Sequence, residues 1–186
     1  GTYAEIVGTV DCSICPVGRF VQAKPQGSKT CDVCTPGTFQ NEAGRSEGRE
    51  CDPGYFQPED ESPVCMDSDV GKYVPDYRSV EQLECGEGTF AGSQKQTACV
   101  QCEAGYFNDE IGQVKCKRCE PGTIQEQKGQ TACVKCKPGY FNSEGGQTIC
   151  IACEPGKYTN YLGAAICDDC EPGRYQDQKN ARQCTS

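Results

Sequence analysis

The 186-residue sequence has no histidine, only two leucines, and no apolar run approaching membrane-spanning length. Histidine is the commonest general base, and a reactive thiol needs a base or an electropositive setting. Its absence argues against catalysis, so no enzymatic activity and no cofactor are expected. Leu, Ile, Val and Phe together number only 27. A chain this poor in large apolar residues would normally stay disordered, because it cannot bury enough surface to offset the entropy of ordering. Also missing is any basic stripe. The net charge is −9 and the pI about 4.6, which disfavours nucleic acid as a partner and gives nothing to draw the chain into anionic lipid. No N-x-[ST] sequon occurs, so N-linked glycan is not expected, while the many Ser and Thr leave room for O-linked glycan.

What the sequence has instead is cysteine, 18 residues of it. That density marks a disulfide scaffold and an oxidising compartment, so the expected location is extracellular or on a cell surface. No signal peptide is visible at Gly1, which reads as a mature protein or a piece of a longer one.

The cysteines fall in a repeat. Cys116, Cys133, Cys150, Cys167 and Cys184 are spaced at a constant period, followed by Cys119, Cys136, Cys153 and Cys170 at the same period. The consensus is C-x-x-C-x-P-G-x-[FY] and then a polar stretch with Gly. Ten units start at residues 12, 31, 48, 65, 82, 99, 116, 133, 150 and 167, the first with two extra residues. Gly holds the seventh position of all ten, and a large apolar residue, from Phe20 to Tyr175, holds the ninth. The Pro-Gly pair is turn chemistry before a short strand, and motifs such as Ser143-Glu-Gly-Gly supply the reversal. Each unit therefore reads as a small β-hairpin with its aromatic as core. The expected fold class is all-β and disulfide-rich: an elongated tandem solenoid or rod of ten hairpins with no significant helix. Residues 1–11 read as a lead-in or linker, 12–47 as two repeats with a four-cysteine cluster, 48–98 as degenerate repeats, and 99–186 as regular repeats ending at the start of an eleventh.

Three cysteines are missing from the frame, at Gly48, Ser68 and Gln82. If the second Cys of each unit pairs with the first Cys of the next, Ser68 and Gln82 would have been partners, lost together. The predicted bonds are then Cys51–Cys65, Cys85–Cys99, Cys102–Cys116, Cys119–Cys133, Cys136–Cys150, Cys153–Cys167 and Cys170–Cys184. For the rest, Cys15–Cys31 with Cys12–Cys34 is preferred, with Cys12–Cys31 and Cys15–Cys34, or a bond from Cys12 to another chain, as alternatives. A rival scheme crosses four cysteines per module, as in Cys99–Cys116 with Cys102–Cys119, but leaves six without complete sets. The same six, and the lack of His, count against structural zinc, so no metal site is assigned. Asp67-Ser-Asp and Glu59-Asp-Glu read as a solvated acidic face rather than a Ca²⁺ loop. Residues 65–84, without their staple, are a candidate hinge. Tyr55, Tyr106 and Tyr140 precede the recurrent aromatic and should face the other way. They are candidate interface aromatics, with packing against the next unit the preferred reading.

Units such as Cys136-Lys-Pro-Gly-Tyr-Phe and Cys153-Glu-Pro-Gly-Lys-Tyr resemble the ephrin-receptor-like cysteine-rich repeat, which is similar in style to the modules of tumour-necrosis-factor receptors. The likeness spans about residues 12–184. It implies an elongated extracellular module, with residues 48–98 departing from regular geometry. The leading functional expectation is a non-enzymatic structural protein that self-associates into a fibre, coat or surface appendage through protein–protein contacts. The alternative is a ligand-binding fragment of a receptor or adhesion ectodomain.

Overall fold

The computed structural model describes residues 1–4, 12–22 and 28–186. The described chain is all-β with no helix: ten antiparallel two-stranded hairpins, every strand two residues long. Thr38–Phe39 (β5) with Arg49–Glu50 (β6) is representative, in the register Thr38↔Glu50 and Phe39↔Arg49. A turn launches the first strand: Thr38 N–H donates to Thr35 C=O at 3.0 Å around Pro36 and Gly37, with Gly37 at φ 78°. Proline followed by a left-handed glycine is the type II turn pattern. A second left-handed residue makes the reversal, Gly44 in this hairpin.

The first hairpin begins earlier than the cysteine frame. Thr2–Tyr3 (β1) pairs with Ser13–Ile14 (β2), and Gly1 C=O accepts from Cys15 N–H at 3.1 Å, as Gly37 C=O accepts from Cys51. Gly1-Thr2-Tyr3 thus fills the Gly-x-aromatic slot of a repeat. Most of the expected lead-in, residues 5–11, lies outside the described residues.

Two compact units emerge, residues 1–84 with 91–99, and residues 85–90 with 100–186. Within each, successive repeats are joined by backbone hydrogen bonds of three kinds. In the first, Gly37 N–H donates to Gln57 C=O (2.7 Å), Gln57 N–H to Ser79 C=O (3.0 Å), and Arg78 N–H to Cys51 C=O (2.8 Å). In the second, Gly105 donates to Gln125 (2.8 Å), Gln125 to Gln147 (3.1 Å), and Gly129 to Cys102 (2.8 Å). A two-stranded hairpin is marginal alone; here the backbone groups its short strands leave over are satisfied by its neighbours.

Within each unit a repeat also meets the one two steps on, where that repeat is present. A Cβ on Gly37 would lie 2.2 Å from Arg78 O, and one on Gly139 would lie 2.1 Å from Asn180 O. The seventh-position glycine is therefore required twice over, by its positive φ and by this backbone approach.

The core differs from expectation. The recurrent aromatics are mostly half-buried, and Tyr175 is exposed. The buried column is the tenth position: Val21, Gln40, Gln57, Val74, Ala91, Asn108, Gln125, Asn142 and Thr159. Side chains of an extended chain alternate sides, so turning position ten inward turns position nine outward. Glutamine works here because its amide spans its own loop. Gln57 Nε2 donates to Val64 C=O (2.7 Å) and its Oε1 accepts from Glu59 N–H (3.0 Å); Gln40 and Gln125 do the same. The shorter Asn108 and Asn142 instead donate to Thr89 and Thr123 C=O of the preceding repeat, both at 3.0 Å. Buried polar groups with partners add a net of about 1 kcal/mol each rather than a penalty, whereas Asn108 Oδ1 and Thr159 Oγ1 of this column have no partner among the described residues.

Beside this column run the second-position cysteines, buried from Cys15 to Cys153. The structure joins Cys15–Cys31, Cys51–Cys65, Cys102–Cys116, Cys119–Cys133, Cys136–Cys150, Cys153–Cys167 and Cys170–Cys184, with Cα–Cα distances of 5.7–5.8 Å. Cys85 and Cys99 are disulfide-bonded as well. Cys12–Cys34 is a correction: both are free thiols. A second-position cysteine is brought against the first residue of the following repeat, and for Cys34 that residue is Gly48, whose Cβ would lie 3.3 Å from Cys34 Sγ. Cys34 thus faces an empty staple position in its own hairpin. Burial pushes its thiol pKa up, partly offset by Thr38.

Candidate interaction surface

A chain held by an inner polar column and disulfides has no large apolar core, so its aliphatic side chains are left outside. They collect around the first cysteine of each repeat. In the second unit Val100, Val134 and Ile151 follow that cysteine, and Ile149 and Ile166 precede it; all are about half exposed or more. Second strands carry Val100, Val134 and Ile151, and Val100–Gln101 (β12) and Val134–Lys135 (β16) are exposed along both positions.

Between neighbouring hairpins of the second unit the stripe deepens into an open groove of about 720 Å³. Ile124, Val134, Tyr140 and Ile149 give it an apolar floor, Lys135 and Lys137 a basic edge, and Gln125, Gln127 and Gln130 a polar one that includes the carboxylate of Glu126. Tyr140 is fixed because its hydroxyl accepts from Asn180 Nδ2 at 3.0 Å. Lys117, Lys128, Lys157 and Lys179 of this unit each pair with a carboxylate, while Lys135 and Lys137 have no ion pair among the described residues.

The three predicted tyrosines have different surroundings. Tyr140 lines the groove. Tyr55 lies under Lys95, whose Nζ is 5.1 Å from the ring centre, two repeats away. Tyr106 is exposed, with 37 % of its surface open. The stripe around the first cysteines was missed in the sequence, although Val100, Val134 and Ile151 recur there at the repeat period.

The acidic motifs are tied into the fold. Glu61 pairs with Arg19, which holds its carboxyl below the usual range. Asp67 lies 3.4 Å from Lys95 Nζ. Asp69 is clasped by Gln82, which donates from Nε2 to Asp69 Oδ2 and accepts from Asp69 N–H, both at 2.7 Å. Gln82 and the buried Ser68 occupy the two positions of the missing staple. Among the described residues no three His, Cys, Asp or Glu side chains converge as a metal-ligand set. No helix among them is long and apolar enough to cross a membrane.

The family described as tyrosine-protein kinase ephrin type A/B receptor-like matches residues 88–132 and again 122–166. The two matches begin on Gly88 and Gly122, seventh-position glycines two repeats apart, so family and structure share one register. No curated protein matches the chain.

Proposed function

Starting from residues 88–166 as ephrin-receptor-like cysteine-rich repeats, we propose that the chain is an extracellular, non-enzymatic, protein-binding segment of a receptor or adhesion ectodomain. The observation that carries this is the double match to receptor-type repeats in register with the hairpins. It favours the ectodomain over the fibre or coat that composition alone put first. The exposed aliphatic stripe gives such a segment something to bind with, since large apolar side chains grouped at a surface mark interaction sites. The unstapled repeat from Cys65 to Glu81, held by the Gln82–Asp69 clasp, is where the segment yields first under limited proteolysis.

Surface biotinylation of intact cells followed by thiol counting is the test. A labelled protein with two titratable thiols is expected; an unlabelled, fully reduced protein would sink the reading. Negative-stain microscopy of native material separates the two architectures: discrete particles fit an ectodomain, and long filaments would return the fibre to first place.

A further inference from the structure

The second unit holds an unfilled groove with two unpaired lysines, and the first unit carries a segment of matching chemistry. We infer that the groove of residues 124–150 docks the acidic segment 59–67 of a second copy of this chain.

Residues 113–137 hold six basic side chains (Lys115, Lys117, Arg118, Lys128, Lys135, Lys137) against Glu120 and Glu126. Residues 42–87 hold 13 acidic side chains against four basic ones. In a chain of net charge −9 the basic stretch stands apart, and of its three lysines without carboxylate partners among the described residues, Lys135 and Lys137 sit on the groove edge. Charge segregated in this way orients two copies so that the basic stretch of one meets the acidic stretch of the other.

Val134 and Ile149 on the groove floor are 61 % and 63 % exposed. The groove volume of about 720 Å³ falls within the range that encloses several side chains. Segment 59–67 presents Val64 and Met66, also exposed, next to Glu59 and Asp60, which make no ion pair among the described residues. Aliphatic side chains with flanking carboxylates complement an aliphatic floor with flanking ammonium groups. Because each copy carries both surfaces, two copies can exchange the contact reciprocally in a closed dimer, or several can close it into a ring. The contact does not depend on the receptor reading.

Sedimentation velocity of the oxidised full chain, across protein concentration and at two ionic strengths, is the measurement. The mass is expected to rise with concentration and to fall back at high salt. Lys135→Glu with Lys137→Glu, and separately Glu59→Lys with Asp60→Lys, should each weaken association on the order of tenfold or more, since attraction becomes repulsion. An equimolar mixture of the two variants should regain it. Ile149→Ser, which adds no charge, probes the floor independently and should weaken association without any salt dependence of its own. All substituted side chains are exposed, and a count of two free thiols checks each variant's fold. A monomer at every concentration overturns the inference, as does association that the charge reversals leave unchanged. A monomer that binds a separate protein also overturns it and leaves the receptor reading standing.

Discussion

The two compact units solve one problem with different chemistry. In both, the reversal residue of each hairpin is left-handed, and the third-position side chain of the preceding repeat packs over it. In the second unit three successive reversals are glycine, with Gly129 under Gln101, Gly146 under Arg118, and Gly163 under Lys135, at contacts of 2.7–3.4 Å to an added Cβ, and the last is Asn180, at φ 53°, which reaches back to Tyr140. In the first unit three successive reversals are Glu61, Arg78 and Lys95, at φ 57–62°. A side chain there costs roughly 1–2 kcal/mol in backbone strain. In return it reaches backwards, Glu61 to Arg19, Arg78 to Thr35 (3.4 Å), and Lys95 to Asp67 and Tyr55. These are the three repeats that lack a cysteine. The staples themselves do not sort this way: Glu61 and Lys95 lie in loops between disulfide-bonded cysteines, Arg78 lies in the hairpin where Ser68 and Gln82 replace the staple, and the unstapled hairpin of Cys34 reverses at Gly44.

The largest break in this comparison comes from the glycine both regions share. Gly139→Ala puts a Cβ 2.1 Å from Asn180 O, whereas Gly156→Ala meets nothing within 4 Å among the described residues, and both have φ near 85°. Thermal melting should show a loss of about 3 kcal/mol or more for Gly139→Ala, strain plus a backbone clash. Gly156→Ala should lose only the strain, roughly 1–2 kcal/mol. Equal losses would mean that the approach two repeats on is not a native constraint.

Next come the staples. Removing Cys119–Cys133 by paired Ala substitution should cost roughly 3 kcal/mol, the chain entropy of a short loop. The converse, Gly48→Cys, should capture Cys34, eliminate one titratable thiol, and raise the midpoint by up to a similar amount. Mass spectrometry showing the introduced thiol bonded to any cysteine other than Cys34 would refute the assigned frame.

Smaller again is the bracing side chain. Lys95→Met keeps the left-handed strain but loses Asp67 and the ammonium over Tyr55, and should lower the melting temperature. Lys95→Gly, which loses the contacts and the strain together, should lie between Lys95→Met and the wild type or above both. The smallest effect is acidic. Arg19 lowers the Glu61 carboxyl below its ordinary 4.5. Its stabilisation is therefore full above that value and is lost as pH falls through the lowered one. Arg19→Met should flatten this part of an acid-unfolding curve.

Much of this was legible in the residues. A fixed period, Pro-Gly turns and short alternating segments point to hairpins because few other structures use left-handed glycine so regularly. The defect pair Ser68 and Gln82 marks one missing staple because both belong to the same hairpin. The error at Cys12 and Cys34 arose from pairing cysteines by elimination; hairpin geometry decides instead, and it places Cys34 against Gly48. The aromatics misled because their size suggests a core. The inner column has room for Gln, Asn, Val, Ala and Thr, and it uses their amides to close loops.

By itself the sequence determined the repeat, its turns and its dependence on oxidised cysteine, since each follows from local chemistry within one hairpin. Only the tertiary structure decided which side chains face inward, where Cys34 sits, and how Glu61, Arg78 and Lys95 reach earlier repeats. Those outcomes join residues far apart along the chain, 42 positions for Arg19 with Glu61 and 43 for Thr35 with Arg78, and no local pattern encodes their approach.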